Sequence, residues 1–165
     1  MARRTRRVEE VEFRAVDPSR VVAYMAVLAR AGDGWINLIP ETAEDKGTTS
    51  LGFFTLFGGG SPGTTMCTWV PGRDVQHGGR PTSLGITHAT GRRIGTLPST
   101  GIPEHWFVEQ DHPRRGLVLN VANEESHEDV LEWALRTTTA LCPLGRVEKW
   151  RAEVHLPIAE QPRHR

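Results

Sequence analysis

The chain has 165 residues with 20 basic and 20 acidic side chains, so its formal net charge is zero. That length fits one domain burying roughly 70% of its unfolded surface, and the charge balance argues against a nucleic-acid partner, whose affinity comes largely from neutralising phosphates. Hydrophobic residues at 38% and charged residues at 24% exclude a disordered chain, and no apolar run reaches the roughly 18 residues of a membrane span.

Residues 1–7 form a basic arm, expected to be flexible. An acidic stretch follows where a signal peptide needs an apolar one. Positions 8–16 then alternate, with Val8, Val11, Phe13 and Val16 set against Glu10, Glu12 and Arg14, which predicts a first strand with one wet face. Asp17-Pro18 opens a helix, Asp17 as the cap and Pro18 at the first helical position. Val21, Tyr24, Met25 and Leu28 form its apolar stripe, and Gly32 supplies the left-handed stop.

Residues 34–40 predict a short buried strand around Trp35. Two apolar runs, 51–57 and 64–70, flank a glycine-rich turn and predict a hairpin. That turn lacks a Lys and a following helix, so a hairpin tip is expected and not a phosphate loop. Residues 71–81 predict a long loop, 83–97 a weaker strand pair or one long strand, and 105–110 and 117–121 two further strands. Ser126 caps a second helix, with Asp129 at the capping-box spacing. Val130, Leu131, Ala134, Leu135, Thr138, Leu141 and Cys142 form its apolar face, and Pro143 ends it. A last strand is expected within 146–156.

The fold class is therefore α+β: a mostly antiparallel or mixed sheet, two helices packed on one face, and β-α-β units at both ends of the chain. Residues 8–157 make the single domain and 158–165 a tail. Cys67 and Cys142 have no CxxC spacing, so neither a disulfide framework nor a zinc site is expected. Both suit small core positions, and a cytoplasmic location is expected.

Chemistry-bearing residues are densest at 104–115. Asp111-His112 suits acid–base work because a carboxylate can orient an imidazole; Glu109 is the third candidate in a catalytic role. Neighbours on a strand face opposite ways, so the pair has to sit in a turn to act together. Arg114 and Arg115 are candidate anion-binding residues, joined by His105, Trp106, His88, Arg92 and Arg93 as ligand contacts. Arg73 and Arg80 are expected to join Arg92 and Arg93 in one positive patch.

His77, His88, His105 and His112 cluster in sequence without HxxxH or HxH spacing, so no metal site is assigned. No cofactor motif is present. The leading expectation is a small binding or interaction module for an unidentified small molecule or protein, self-associating as a homodimer through a sheet face or edge. The alternative is an enzyme acting on a small anionic substrate between loop 71–81 and the turn at 111–115.

Overall fold

The computed structural model describes residues 6–41, 65–74, 76, 78–142, 147 and 149–158. Among the described residues, seven strands and two α-helices run in the order β1 (Val8–Phe13), α1 (Ser19–Ala31), β2 (Trp35–Glu41), β3 (Met66–Val70), β4 (Thr82–Thr87), β5 (Phe107–His112), β6 (Gly116–Val121), α2 (His127–Leu141) and β7 (Lys149–His155). The strands form one antiparallel sheet in the order β1-β7-β2-β3-β4-β6-β5. The first arm of the expected 51–70 hairpin, its glycine-rich turn, His77 and Pro143 lie outside the described residues.

The α+β class stands, with a refinement in the connections. The strands flanking each helix run the same way, yet β7 lies between β1 and β2, and three strands separate β6 from β7. A β-α-β unit whose two strands pair is therefore found at neither end. The chain's last strand enters the sheet beside its first, so the sheet closes only when both ends are in place.

Both helices cover one sheet face. Cross-strand partners share a face, and the register puts Phe13, Trp150, Leu38, Trp69, Leu84 and Leu119 on the buried side. Val21, Met25 and Leu28 of α1 and Val130, Leu131, Ala134 and Leu135 of α2 meet them in one core. Trp133, which the apolar stripe did not include, belongs to that core as well. The Cys67 thiol lies in it with its pKa pushed up to about 12 by burial, which makes it a small inert core group. Among the described residues no helix is long and apolar enough to cross a membrane.

The helix ends follow the sequence in part. Gly32 closes α1 at φ 60°, its N–H donating to Ala29, and Ser126 Oγ caps α2 by accepting from the Asp129 N–H at 3.3 Å. Asp17 does not cap α1. Its N–H closes the turn onto Arg14, its carboxylate accepts from Ser19 Oγ at 2.8 Å, and Pro18 becomes the cap residue.

The predicted strand pair over 83–97 is corrected too. After β4 the chain leaves the sheet and crosses as an irregular segment to β5. Its backbone is satisfied by side chains instead of a ladder. Asp111 accepts from the N–H groups of Ile94 and Gly95, both at 3.0 Å, and Thr100 Oγ1 donates to Leu97 at 2.6 Å. Residues 6 and 7 of the basic arm are tied down: Arg6 forks onto Asp33, and the Arg7 carbonyl accepts from Leu156.

Candidate functional site

Asp111 and His112 both belong to β5, where Asp111 pairs with Leu117 and His112 with Gly116. Adjacent strand residues face opposite ways, so the two do not form an acid–base pair. Asp111 holds the irregular segment, and His112 Nδ1 accepts from the N–H groups of Arg114 (3.1 Å) and Arg115 (3.2 Å), closing the turn. Glu109 is exposed in a bulge between Val108 and Gln110, and Arg114 and Arg115 are exposed at the hairpin tip. His105 pairs with Glu125, while Trp106 is buried edge-on against Trp133 at 5.2 Å. Trp106 is thus a core wall and not a stacking platform.

His88 is buried, bonds Thr90 Oγ1 at 2.9 Å, and lies near Asp111. The structure brings these two candidates together, as it does His112 with the backbone of Arg114 and Arg115 and His105 with Trp106, but it does not gather them all at one site. His105 precedes β5 and His112 ends it, which separates them by roughly 20 Å at about 3.3 Å per residue. Loop 71–81 joins the Thr82 end of β4, whereas the turn at 113–115 meets the Thr87 end, so the site expected between them does not form. The expected arginine patch divides for the same reason: Arg73 and Arg80 lie at one end of β4, Arg92 and Arg93 at the other. Among the described residues no group of three His, Cys, Asp or Glu could hold a metal ion.

A cleft of about 750 Å³ opens at the Thr82 end of β4. It is lined by the end of α1 (Arg30, Gly32), Asp33, the strand exit Gly72–Asp74, Asn123, His127 at the start of α2, and Pro157–Ile158. The size suits a small ligand. Its frame is hydrogen-bonded throughout. Asn123 Oδ1 accepts from both the N–H (2.8 Å) and the hydroxyl (3.0 Å) of Thr82, and Thr82 Oγ1 accepts from the Gly72 N–H at 3.2 Å. Arg73 Nε donates to the Gly32 carbonyl at 2.7 Å, which draws the loop onto the end of α1. The His127 ring stands edge-on to Trp69 at 5.8 Å, so the core backs it.

Arg73 and Arg80 form an antiparallel bridge, each N–H donating to the other's carbonyl at 2.9 and 3.1 Å. Bridge partners share a face, and the charge of Arg73 reaches Arg80. Burial lowers the Arg80 pKa, and the charge of Arg73 lowers it further against the opposing pull of Asp33. Neither arginine forms an ion pair among the described residues. Asp33 is committed elsewhere: burial works to raise its pKa, but the fork of Arg6 and the N–H groups of Gly34 and Ile158 outweigh that and lower it.

A second polar cluster crosses the sheet face opposite α1 and α2. Asn37 on β2 is the cross-strand partner of both Glu153 on β7 and Thr68 on β3, and each of the three is at most 1% exposed. Thr68 donates to Asn37 Oδ1 at 2.9 Å, and Asn37 Nδ2 approaches Glu153 and His155, each at 3.4 Å. His155 stacks on Trp35 at 4.2 Å, and Arg6 covers the other part of that ring at 4.9 Å. The sequence carried a signal for this row. In β7, Arg151, Glu153 and His155 alternate with Trp150, Ala152 and Val154, and a charged phase on a strand flanked on both sides is unusual. The signal was unreadable without knowing that the last strand is internal.

Two histidines, His88 and His155, are expected to lower stability in acid. Burial lowers the pKa of His88 against the pull of Asp111; burial also lowers that of His155, with Glu153 opposing and Arg6 adding. With folded values below the unfolded value of about 6.5, the unfolded chain binds more protons in that region. Stability is therefore expected to fall as pH drops through about 6.5, and Asp33 extends the loss below its ordinary range. Urea midpoints at stepped pH should show this slope, and His88→Gln with His155→Gln should flatten it. An unchanged slope in the double variant would place the proton uptake elsewhere.

No protein-family model, no characterised protein and no solved structure matches this chain.

Proposed function

We propose that the chain is a small cytoplasmic binding module, homodimeric, that takes a small anionic ligand in the cleft lined by Arg73, whose backbone-bridge partner Arg80 stands behind it. The observation that carries this reading is the arginine pair itself. Two cations held side by side by a backbone bridge repel each other, and an anion seated between them relieves that repulsion. A guanidinium fork also matches the geometry of carboxylate and phosphate oxygens. The apolar side of the cleft, Ala29, Ala31, Pro157 and Ile158, suits a ligand with an apolar body behind its charged group. Two free cysteines, Cys67 buried and Cys142 half-buried, fit a reducing compartment. A second reading, an enzyme acting on a small anion, is favoured by His127, the imidazole that lines the same cleft among the described residues.

Thermal melts against phosphate, sulfate, di- and tricarboxylates and nucleotides, at matched ionic strength, test the proposal. A true ligand at 100 times its dissociation constant adds about 2.7 kcal/mol, or roughly 5–10 °C for a domain of this size. Arg73→Gln with Arg80→Gln should abolish the shift, while the ligand-free melt falls by only about 2–5 °C through loss of the Arg73–Gly32 bond. Equal shifts in wild type and double variant, or none with any anion, would remove the reading.

A further inference from the structure

The two edges of the sheet are built differently. β1 carries Glu9, Glu10 and Glu12 within six residues, a single-sign edge that repels a second copy. β5 ends the sheet on the other side, and its first two residues are apolar and open: Phe107 is 67% and Val108 39% exposed. Among the described residues nothing pairs with its outer edge. We propose that β5 pairs with β5 of a second copy around a two-fold axis normal to the sheet, so that the sheet runs through both; this places the interface of the homodimer inferred above.

The bulge selects the register. A two-fold axis normal to the sheet keeps each residue on its own face, so partners must share one. Phe107 and His112 pair with Asn120 and Gly116, four apart on β6, and so lie on one face; Val108 and Asp111 pair with Leu119 and Leu117 and lie on the other. Only the extra residue at the bulge brings Phe107 and His112 onto the same side. Phe107 can then oppose His112 of the second copy, and Val108 its Asp111. That register puts Gln110 against Glu109 at the axis, and at each end it brings the turn that carries exposed Glu104 beside the hairpin tip that carries exposed Arg115 of the second copy, twice per dimer. The arginine hairpin tip, which no anion site claims, becomes the charge partner of an acidic one.

Sedimentation equilibrium of the full chain over a concentration series tests this. Wild type should dimerise, and Phe107→Lys should weaken the dimer by about tenfold or more. Glu104→Arg and Arg115→Glu singly should each weaken it several-fold, while the two together restore it, because the charge pair is reversed and kept. Melts of each variant show that it folds. A wild type that stays monomeric throughout removes the homodimer and this interface alike. A dimer indifferent to all these variants removes the interface alone, and a dimer weakened by both singles but not restored by the pair overturns the register.

Discussion

Trp133→Ala is expected to destabilise the fold by about 3–5 kcal/mol, the upper range for a buried aromatic. The indole is 4% exposed, meets Trp106 edge-to-face at 5.2 Å, and donates from Nε1 to the carbonyls of Thr100 (3.0 Å) and Gly101 (3.1 Å). One side chain therefore joins α2 to the irregular segment before β5 and to the wall at the start of that strand. Its loss leaves a cavity and two carbonyls without a donor at the same place, and the penalties combine because the same segment would have to relax to repair either. Against a total of about 5–15 kcal/mol, the alanine variant should lie near the edge of folding. Trp133→Phe separates the two parts: it retains most of the packing and should lose about 1–3 kcal/mol through the unmet carbonyls. Urea unfolding of both variants checks this. A loss below about 1.5 kcal/mol for alanine would mean that the segment is held by Asp111 and Thr100 without the indole.

The elements that could be read from the sequence are those in which neighbours along the chain decide the structure. The α1 stripe of Val21, Met25 and Leu28 with Tyr24 half-buried beside it, the stop at Gly32 and the Ser126 cap all depend on spacings within two turns, and each is found. The segment after β4 could not be read this way. The alternation after Ser83 looks like a strand pair, but the groups that satisfy its backbone, Asp111 and Trp133, arrive from elsewhere in the chain. The candidate site shows the same division. The sequence picked out Asp111, His112 and Arg114 by local density, and density alone does not tell a functional carboxylate from one that ties a loop. Arg73 and Arg80 were visible as cations, but their pairing depends on a bridge across a turn, and their separation from Arg92 on which end of β4 each occupies. Glu153, Asn37 and Thr68 share a row only because β7 enters between β1 and β2, a choice no local pattern encodes.

Gly116→Ala should cost about 3 kcal/mol or more, from one added methyl group. Gly116 opens β6 at φ +86°, a conformation that costs an L-residue roughly 1–2 kcal/mol wherever it occurs. Here the added carbon would also stand 2.2 Å from the Ile86 carbonyl oxygen, with the Ile86 carbonyl carbon and Thr87 Cα at 3.1 and 3.3 Å. All three atoms are backbone of β4, which is held on its other side by β3, so no side chain can swing away. Relief requires β6 to move off β4, and each ladder bond lost adds about 0.5–1.5 kcal/mol. Gly91 provides the control, with φ +68° and nothing within 4 Å of the position its methyl group would take. Gly91→Ala should therefore show the conformational penalty alone, about 1–2 kcal/mol. The difference between the two variants measures how closely β4 and β6 approach, and equal losses would mean that the sheet can open there without resistance. If the β5–β6 hairpin does separate from β4 in the Gly116 variant, hydrogen exchange should accelerate in β5 and β6 first, while β7 and β2, on the far side of β3 and β4, remain protected.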